Sequence, residues 1–198
     1  MAISAKDVAA LRRKTGAGMM DCKKALTAND GDMAKAEEYL QKKNLAAVGK
    51  RAGKVAAEGT IGSYVHGGRI GVIVEVNSET DFVGRGEAMQ ALAKDIAMHI
   101  AASAPDYVRQ EEIPAAAIAK QKDIFLGQME DSGKPEHILG KIIEGKIAKW
   151  KKQQCLLDQP FVKNPDKTVS EHVTEVASTI KENIQVRRFA RFELGEGI

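Results

Sequence analysis

From Ile184 to Leu194 the chain alternates, with Ile184, Val186, Arg188, Ala190, Phe192 and Leu194 set against Gln185, Arg187, Phe189, Arg191 and Glu193. Period-two spacing of that length predicts a β-strand, and a strand needs a neighbour to satisfy its backbone donors and acceptors. The candidate neighbours lie far upstream. Gly59 to His66 and Arg69 to Val76 flank Gly67-Gly68, a dipeptide suited to a tight hairpin because glycine enters the left-handed region without penalty. Val72, Val74 and Val76 alternate with Ile73 and Glu75, which predicts a strand buried over most of its length. The chain between these strands reads as helical. The expected fold class is therefore α+β: an N-terminal three-helix unit, then a core domain with a small antiparallel sheet packed on helices and a projecting helical hairpin.

Residues 1–54 form the expected three-helix unit with a basic linker. Ser4 is a candidate N-cap, and Val8 and Leu11 share one face of the first helix. Thr15-Gly16-Ala17-Gly18 ends it. A second helix is expected from Met19 to Ala28, with Cys22, Ala25 and Leu26 inward. Asp32 caps a third, whose apolar stripe is Met33, Ala36, Tyr39 and Leu40. Met19-Met20 is the odd feature, since adjacent helical residues point about 100° apart and cannot both face one small core. Either one methionine turns inward while the other covers the loop, or the pair forms an exposed, adaptable contact for another protein.

Residues 55–110 read as the first part of the core domain. At Glu75-Val76-Asn77-Ser78-Glu79-Thr80-Asp81-Phe82-Val83 a strand gives way to a helix running to about Ser103. Phe82 falls in its first turn beside Asp81, a place for a core residue or for a probe into a partner. Met89, Leu92, Ile96 and Ile100 make a regular core stripe with or without it. Asp106-Tyr107-Val108 is expected as a short extra strand. Residues 111–155 read as the hairpin, with Ile118, Phe125 and Met129 facing Leu139, Ile143, Ile147 and Trp150 across a turn at Ser132-Gly133-Lys134-Pro135. Arms of about seventeen residues would run roughly 25 Å. Residues 156–198 close the core domain with the extended Gln159-Pro160-Phe161-Val162, a turn at Asn164-Pro165-Asp166, a helix from Thr168 to about Glu182, and the last strand.

Composition excludes several functions. The net charge of the 198 residues is only +3, less than a protein that wraps duplex nucleic acid needs, so no direct nucleic-acid binding is required. The basic clusters Arg12-Arg13-Lys14 and Arg187-Arg188 read as solvated faces. His66, His99, His137 and His172 are scattered without metal-ligand spacing, and no phosphate-binding glycine loop or nucleophile elbow is present. The expectation is a protein that acts by binding, with no metal, no cofactor and no catalysis of its own. Two distant cysteines, Cys22 and Cys155, fit a reducing compartment. With no apolar membrane span or signal core, the expected location is the cytoplasm.

Leu11-Arg12-Arg13-Lys14-Thr15-Gly16-Ala17-Gly18-Met19-Met20-Asp21-Cys22-Lys23-Lys24-Ala25-Leu26 resembles the N-terminal signature of the elongation factor Ts family, and Glu75 to Val83 resembles its second signature. Gln159 to Val162 and the ending Arg191 to Ile198 agree, so the resemblance spans the chain. It implies a guanine-nucleotide exchange factor that binds the GTPase elongation factor Tu, both GDP-bound and nucleotide-free. It implies a unit similar to a ubiquitin-associated (UBA) domain that docks through Arg12, Met19, Met20 and Lys23. A second contact would come from Thr80, Asp81, Phe82 and Val83, with Phe82 wedged near the magnesium site, and further contacts from His66 and Val162. Lys163 stands where the family more often has Met. Gly84 stands where Ala or Ser is more usual, a change expected to loosen the first helical turn by about 1 kcal/mol. Longer members carry two core copies; here Ser63 to Gly71 resembles the second and Asp81-Phe82 the first, which implies a homodimer. The hairpin resembles the family's projecting coiled coil. The alternatives are a translation-associated RNA binder and a chaperone-like partner protein without exchange activity.

Overall fold

The computed structural model describes residues 3–129 and 136–197, apart from the side chains at 44, 45, 47, 136 and 137. The expected hairpin turn at Ser132 to Pro135 lies outside the described residues. Helix α1 (Ala5–Thr15) starts where the Ser4 hydroxyl accepts the Asp7 N–H, and stops at Gly16 with φ 67°. Helix α2 (Met19–Ala28) and helix α3 (Met33–Arg51) follow, the latter capped by Asp32, which accepts the Lys35 N–H. Val8, Leu11, Cys22, Ala25, Leu26, Ala36 and Leu40 form one buried cluster. Met33 and Tyr39 are exposed, against expectation. Met33 sits at the helix's first position, beyond the end of that small core, and Tyr39 points about 100° away from Leu40.

The chain divides into two compact units. The first unites residues 1–59 with 77–89 and 173–185. The second comprises 60–76, 90–172 and 186–198.

Strands β1 (Glu58–His66), β2 (Ile70–Ser78) and β5 (Gln185–Glu193) make a sheet in the order β1-β2-β5. Gly67 and Gly68 turn the hairpin at φ 54° and 68°, and the His66 carbonyl accepts the Arg69 N–H at 2.9 Å. Leu194 N–H reaches the Arg69 carbonyl at 2.8 Å, so the end of β5 meets the start of β2 and the two run antiparallel. Val72, Val74 and Val76 are buried, but Ile73 is exposed. β2 is thus covered on one face only, the usual state of an antiparallel sheet. In β5 the alternation also breaks. Val186 is buried, yet beyond it the half-covered residues are Phe189 and Arg191, while Arg188, Ala190 and Phe192 are exposed.

The helix expected after Phe82 comes in two pieces, α4 (Asp81–Gly84) and α5 (Glu87–Ser103). Met89, Leu92, Ile96 and Ile100 are all buried, as the stripe requires. A Cβ at Gly62 would lie 2.7 Å from the Ala93 backbone, so β1 crosses α5 at backbone contact. Helices α6 (Ala115–Gly127) and α7 (Glu136–Gln154) form the hairpin arms, 13 and 19 residues long. Ile143 and Met129 are buried, and Ile118, Phe125, Leu139, Ile147 and Trp150 are half-covered. Tyr107 makes a single parallel bridge to Cys155 in place of a strand.

Asn164-Pro165-Asp166 is not a turn. It opens β4 (Asn164–Thr168), which pairs antiparallel with β3 (Pro160–Phe161) through Phe161 and Asn164. The turn is Val162-Lys163. A two-stranded ribbon is all edge, where proline's missing N–H is tolerated. Helix α8 (Val169–Ile180) begins where Thr168 Oγ1 accepts the Glu171 N–H. It ends before Glu182 because Lys181 takes a left-handed φ of 64°. Cys155 is fully buried, and burial pushes its thiol up to about 11.

Candidate functional site

Phe82 is 84% exposed, although it is a large aromatic in a turn flanked by buried strand and helix. Its neighbours explain how the turn stays fixed. Thr80 precedes α4 in an extended conformation, and its hydroxyl accepts the Val83 N–H at 3.4 Å. Ser78 Oγ donates to the Thr80 carbonyl at 2.8 Å. Val83 is half-buried, and Gly84 is buried against Gly59, where a Cβ would lie 2.4 Å from the carbonyl oxygen. Glycine at 84 therefore does not loosen the turn; it lets the turn seat directly on the Gly59 backbone. Asp81 and Arg85 form an exposed ion pair at 3.1 Å. Phe82, Val83, Met89 and Ile180 border a shallow, largely apolar groove beside the tip.

The same turn is clasped from residues about a hundred positions later. The Glu182 carboxylate accepts the N–H groups of Glu79 and Thr80 at 3.0 and 3.1 Å and the Thr80 hydroxyl at 2.7 Å. In return, the Glu79 carboxylate accepts the Asn183 N–H at 2.8 Å, with Arg51 at 2.8 Å and Lys54 at 3.2 Å. The Asn183 amide and these two cations hold the Glu79 carboxyl down at about 2. Asn183 also donates from its side chain to the Lys54 carbonyl at 2.7 Å, closing the ring of bonds. Residues 79, 182 and 183 carry no periodic signal, and the sequence reading missed them; only Glu79, inside the second signature, lay within a stretch already singled out.

In the three-helix unit, Met19 and Met20 are 48% and 64% exposed. Neither turns inward, so the core–loop alternative fails and the pair is an apolar surface. Arg12 and Lys23 are exposed, and Arg12 and Met19 line one shallow depression with Ala9 and Arg13.

Two further residues belong to the second unit. His66 is exposed at the end of β1, with Nδ1 3.1 Å from the Tyr64 hydroxyl. Val162 is 43% exposed at the β3–β4 turn. Its N–H donates to Nδ1 of the fully buried His99 at 3.1 Å, so that nitrogen carries no proton and Nε2–H donates to Gln159 Oε1 at 2.9 Å. Burial lowers the His99 pKa, opposed by the Gln159 hydrogen bond. Lys163, next to Val162, pairs with Asp95 at 2.6 Å. Phe161 stacks on His172 with ring centroids 4.3 Å apart.

Among the described residues no group of three or more histidine, cysteine or carboxylate side chains is placed to hold a metal, and no helix is long and apolar enough to cross a membrane. Each unit carries exposed apolar side chains, Met19, Met20 and Phe82 in the first and Val162 in the second, which suit contact with an apolar surface of another molecule.

A family model described as elongation factor Ts matches residues 5–196. Similar proteins named elongation factor Ts include one from Geobacter sulfurreducens, 57% identical over all of this chain and 92% of that protein. Another, from Heliobacterium modesticaldum, is 57% identical over 99% of this chain and 92% of its own length. A third, from an Anaeromyxobacter species, is 59% identical over 99% of this chain and 90% of its own.

Proposed function

The chain belongs to the elongation factor Ts family, and from that premise we propose that it is a guanine-nucleotide exchange factor for elongation factor Tu, with Phe82 as the wedge that loosens GDP near the magnesium site. The observation that carries this reading is the exposure of Phe82 on a turn fixed from several sides. An aromatic held out in water gains by entering an apolar site on a partner, and a rigid base lets that gain act on the partner.

No bond is made or broken by such a factor. Factor and nucleotide must weaken each other's binding by the same ratio, and each tenfold requires about 1.4 kcal/mol of differential contact. Burying a Phe side chain supplies about 1.5–3 kcal/mol, enough for roughly ten- to a hundredfold. The remainder falls to contacts that hold elongation factor Tu while the wedge acts. Met19, Met20, Arg12 and Lys23 supply one, and His66 and Val162 supply others. In this reading Asp81 guides the approach, while Thr80 and Val83 secure the turn behind Phe82.

Ser63 to Gly71 and Asp81-Phe82, which resemble different core copies of longer family members, support a homodimer in which a second subunit completes the contacts. Ile61, Val65 and Ile73, exposed on the sheet, give that subunit an apolar surface to cover. Cys155 is fully buried within the chain, so no bridge through it is expected. Light scattering should return twice the chain mass, with or without reductant; a monomer at micromolar concentration overturns the dimer.

Release of a fluorescent GDP analogue from elongation factor Tu tests the wedge. Phe82→Ala should slow factor-stimulated release by roughly ten- to a hundredfold, with the fold intact because the side chain is not part of the core. Release as fast as wild type would remove Phe82 from the mechanism, and release no faster than without any factor, in the wild type, would remove exchange itself.

A further inference from the structure

We propose that Glu182 is the positioning residue of the wedge: its carboxylate gathers the Glu79 and Thr80 amides and the Thr80 hydroxyl, and so sets the direction in which Phe82 leaves the chain. This inference rests on the exchange reading above and adds a residue that lies outside both signature stretches.

The geometry singles out Glu182. The α4 turn is four residues long, too short to hold its own direction, since one helical turn fixes several dihedrals for a single hydrogen bond. Its orientation must come from outside. Glu182 supplies three bonds to two successive residues immediately before Asp81 and Phe82. Hydrogen bonds to a charged acceptor are the strong ones. Its own position is set by the left-handed Lys181, which ends α8 and swings Glu182 out of the helix. Glu79 answers from the other side by accepting the Asn183 N–H. Two neighbouring carboxylates would repel, and Arg51 and Lys54 beside Glu79 offset this. The clasp therefore fixes two chain segments against each other reciprocally, and Phe82 extends from one of them.

A residue acting through Phe82 must lose its effect when Phe82 is gone. The test is a double-mutant cycle on stimulated GDP release, using the full chain and elongation factor Tu loaded with the fluorescent analogue. Glu182→Ala should slow release at saturating factor by about tenfold, the scale of a lost charged hydrogen bond, with little change in the factor concentration for half-maximal rate. Glu182→Gln should recover most of the rate, because its carbonyl can accept the two amides while its NH2 donates to the Thr80 oxygen. In the Phe82→Ala background, Glu182→Ala should cost less than twofold. Thermal unfolding of each variant reports the fold. If Glu182→Ala unfolds, the cycle is run with Glu182→Gln, expected at about two- to threefold below wild type and neutral in the Phe82→Ala background. Independent, multiplying losses would overturn the positioning role, as would a Glu182→Ala rate equal to wild type. If Phe82→Ala alone leaves release unchanged, the wedge reading fails instead, and if the wild type does not stimulate release, exchange itself fails, so these failures are distinguishable from failure of the positioning role.

Discussion

Phe82 and Val162 are both apolar side chains held out at the tip of a turn, and they are held by opposite chemistry. Behind Phe82 stand charged carboxylates, Glu182 and Glu79, which gather backbone N–H groups near the surface. Behind Val162 stands one neutral, fully buried imidazole, His99, which accepts a single N–H and donates its own Nε2–H to the Gln159 side-chain oxygen. The first arrangement spreads its hold over many bonds that remain hydrated at their edges. The second concentrates it in a dry site where a lost partner is expensive. The difference predicts how each tip fails.

The largest effect is expected from His99→Phe. The phenyl ring would replace an imidazole whose centroid lies 6.1 Å from that of Phe161, but it offers no acceptor to Val162 N–H and no donor to Gln159. Leaving buried polar groups unpaired costs about 1–3 kcal/mol each, so a loss of about 3 kcal/mol is expected in denaturant unfolding. An unchanged midpoint would mean that the imidazole is not what holds the Val162 turn. Next comes Gly84→Ala, which strikes the other tip. The added methyl meets the Gly59 carbonyl at 2.4 Å, and backbone on both sides leaves little to yield, so overpacking should cost about 2 kcal/mol. A neutral or stabilising outcome, as helix propensity alone would give, would show that the Phe82 turn is not seated on β1.

Acid separates the tips without mutation. His99 has its folded pKa below its ordinary value of 6.5 because burial disfavours the cation. The unfolded chain therefore binds the proton first, and stability is lost as pH falls below about 6.5. The groups facing that ring and its turn are Asp95, Lys163 and His172. Glu79 behaves differently. Its pKa is depressed from 4.5 to about 2, so its contribution is complete above 4.5 and is lost only between 4.5 and about 2. Amide exchange followed by NMR between pH 7 and 5 should show Val162 N–H losing protection while the Asn183 amide, which donates to the Glu79 carboxylate, keeps its own. The reverse order would break the comparison.

Most of the fold is legible in the sequence because its signals are local. Ser4 and Asp32 mark helix starts by residue type, Gly67-Gly68 marks the hairpin, and Met89 to Ile100 marks a buried face by spacing. The failures share a cause. Asn164-Pro165-Asp166 has turn chemistry, yet pairing with Phe161 decided its conformation, and pairing is not visible locally. Ile73 reads as buried because strand periodicity does not tell which face a sheet leaves open. At the site, periodicity could not decide Phe82, since the α5 stripe is complete without it. Its supports are harder still. Glu182 finds Thr80 across roughly a hundred residues, and His99 lies within an apolar helix face where it reads as filler. Hydrogen bonds between distant segments leave no mark in residue spacing.

The smallest effect belongs to Asp81→Asn. Asp81 sits in the first turn of α4, where a carboxylate gains a few tenths of a kcal/mol from the helix end, and its pair with Arg85 is exposed on both sides. Such pairs contribute about 0–1 kcal/mol, and salt screens them. Asparagine keeps the shape and one acceptor. Unfolding free energy should therefore fall by less than about 1 kcal/mol, and the difference should vanish in high salt. This outcome matters for the comparison because Asp81 is the closest charge to Phe82 in sequence. If its loss cost as much as Gly84→Ala, the turn would be held by its own local ion pair, and the clasp from Glu182 would be redundant. A small, salt-erased change leaves the hold on Phe82 with the distant carboxylates, and leaves the Asp81 charge free to act on the partner.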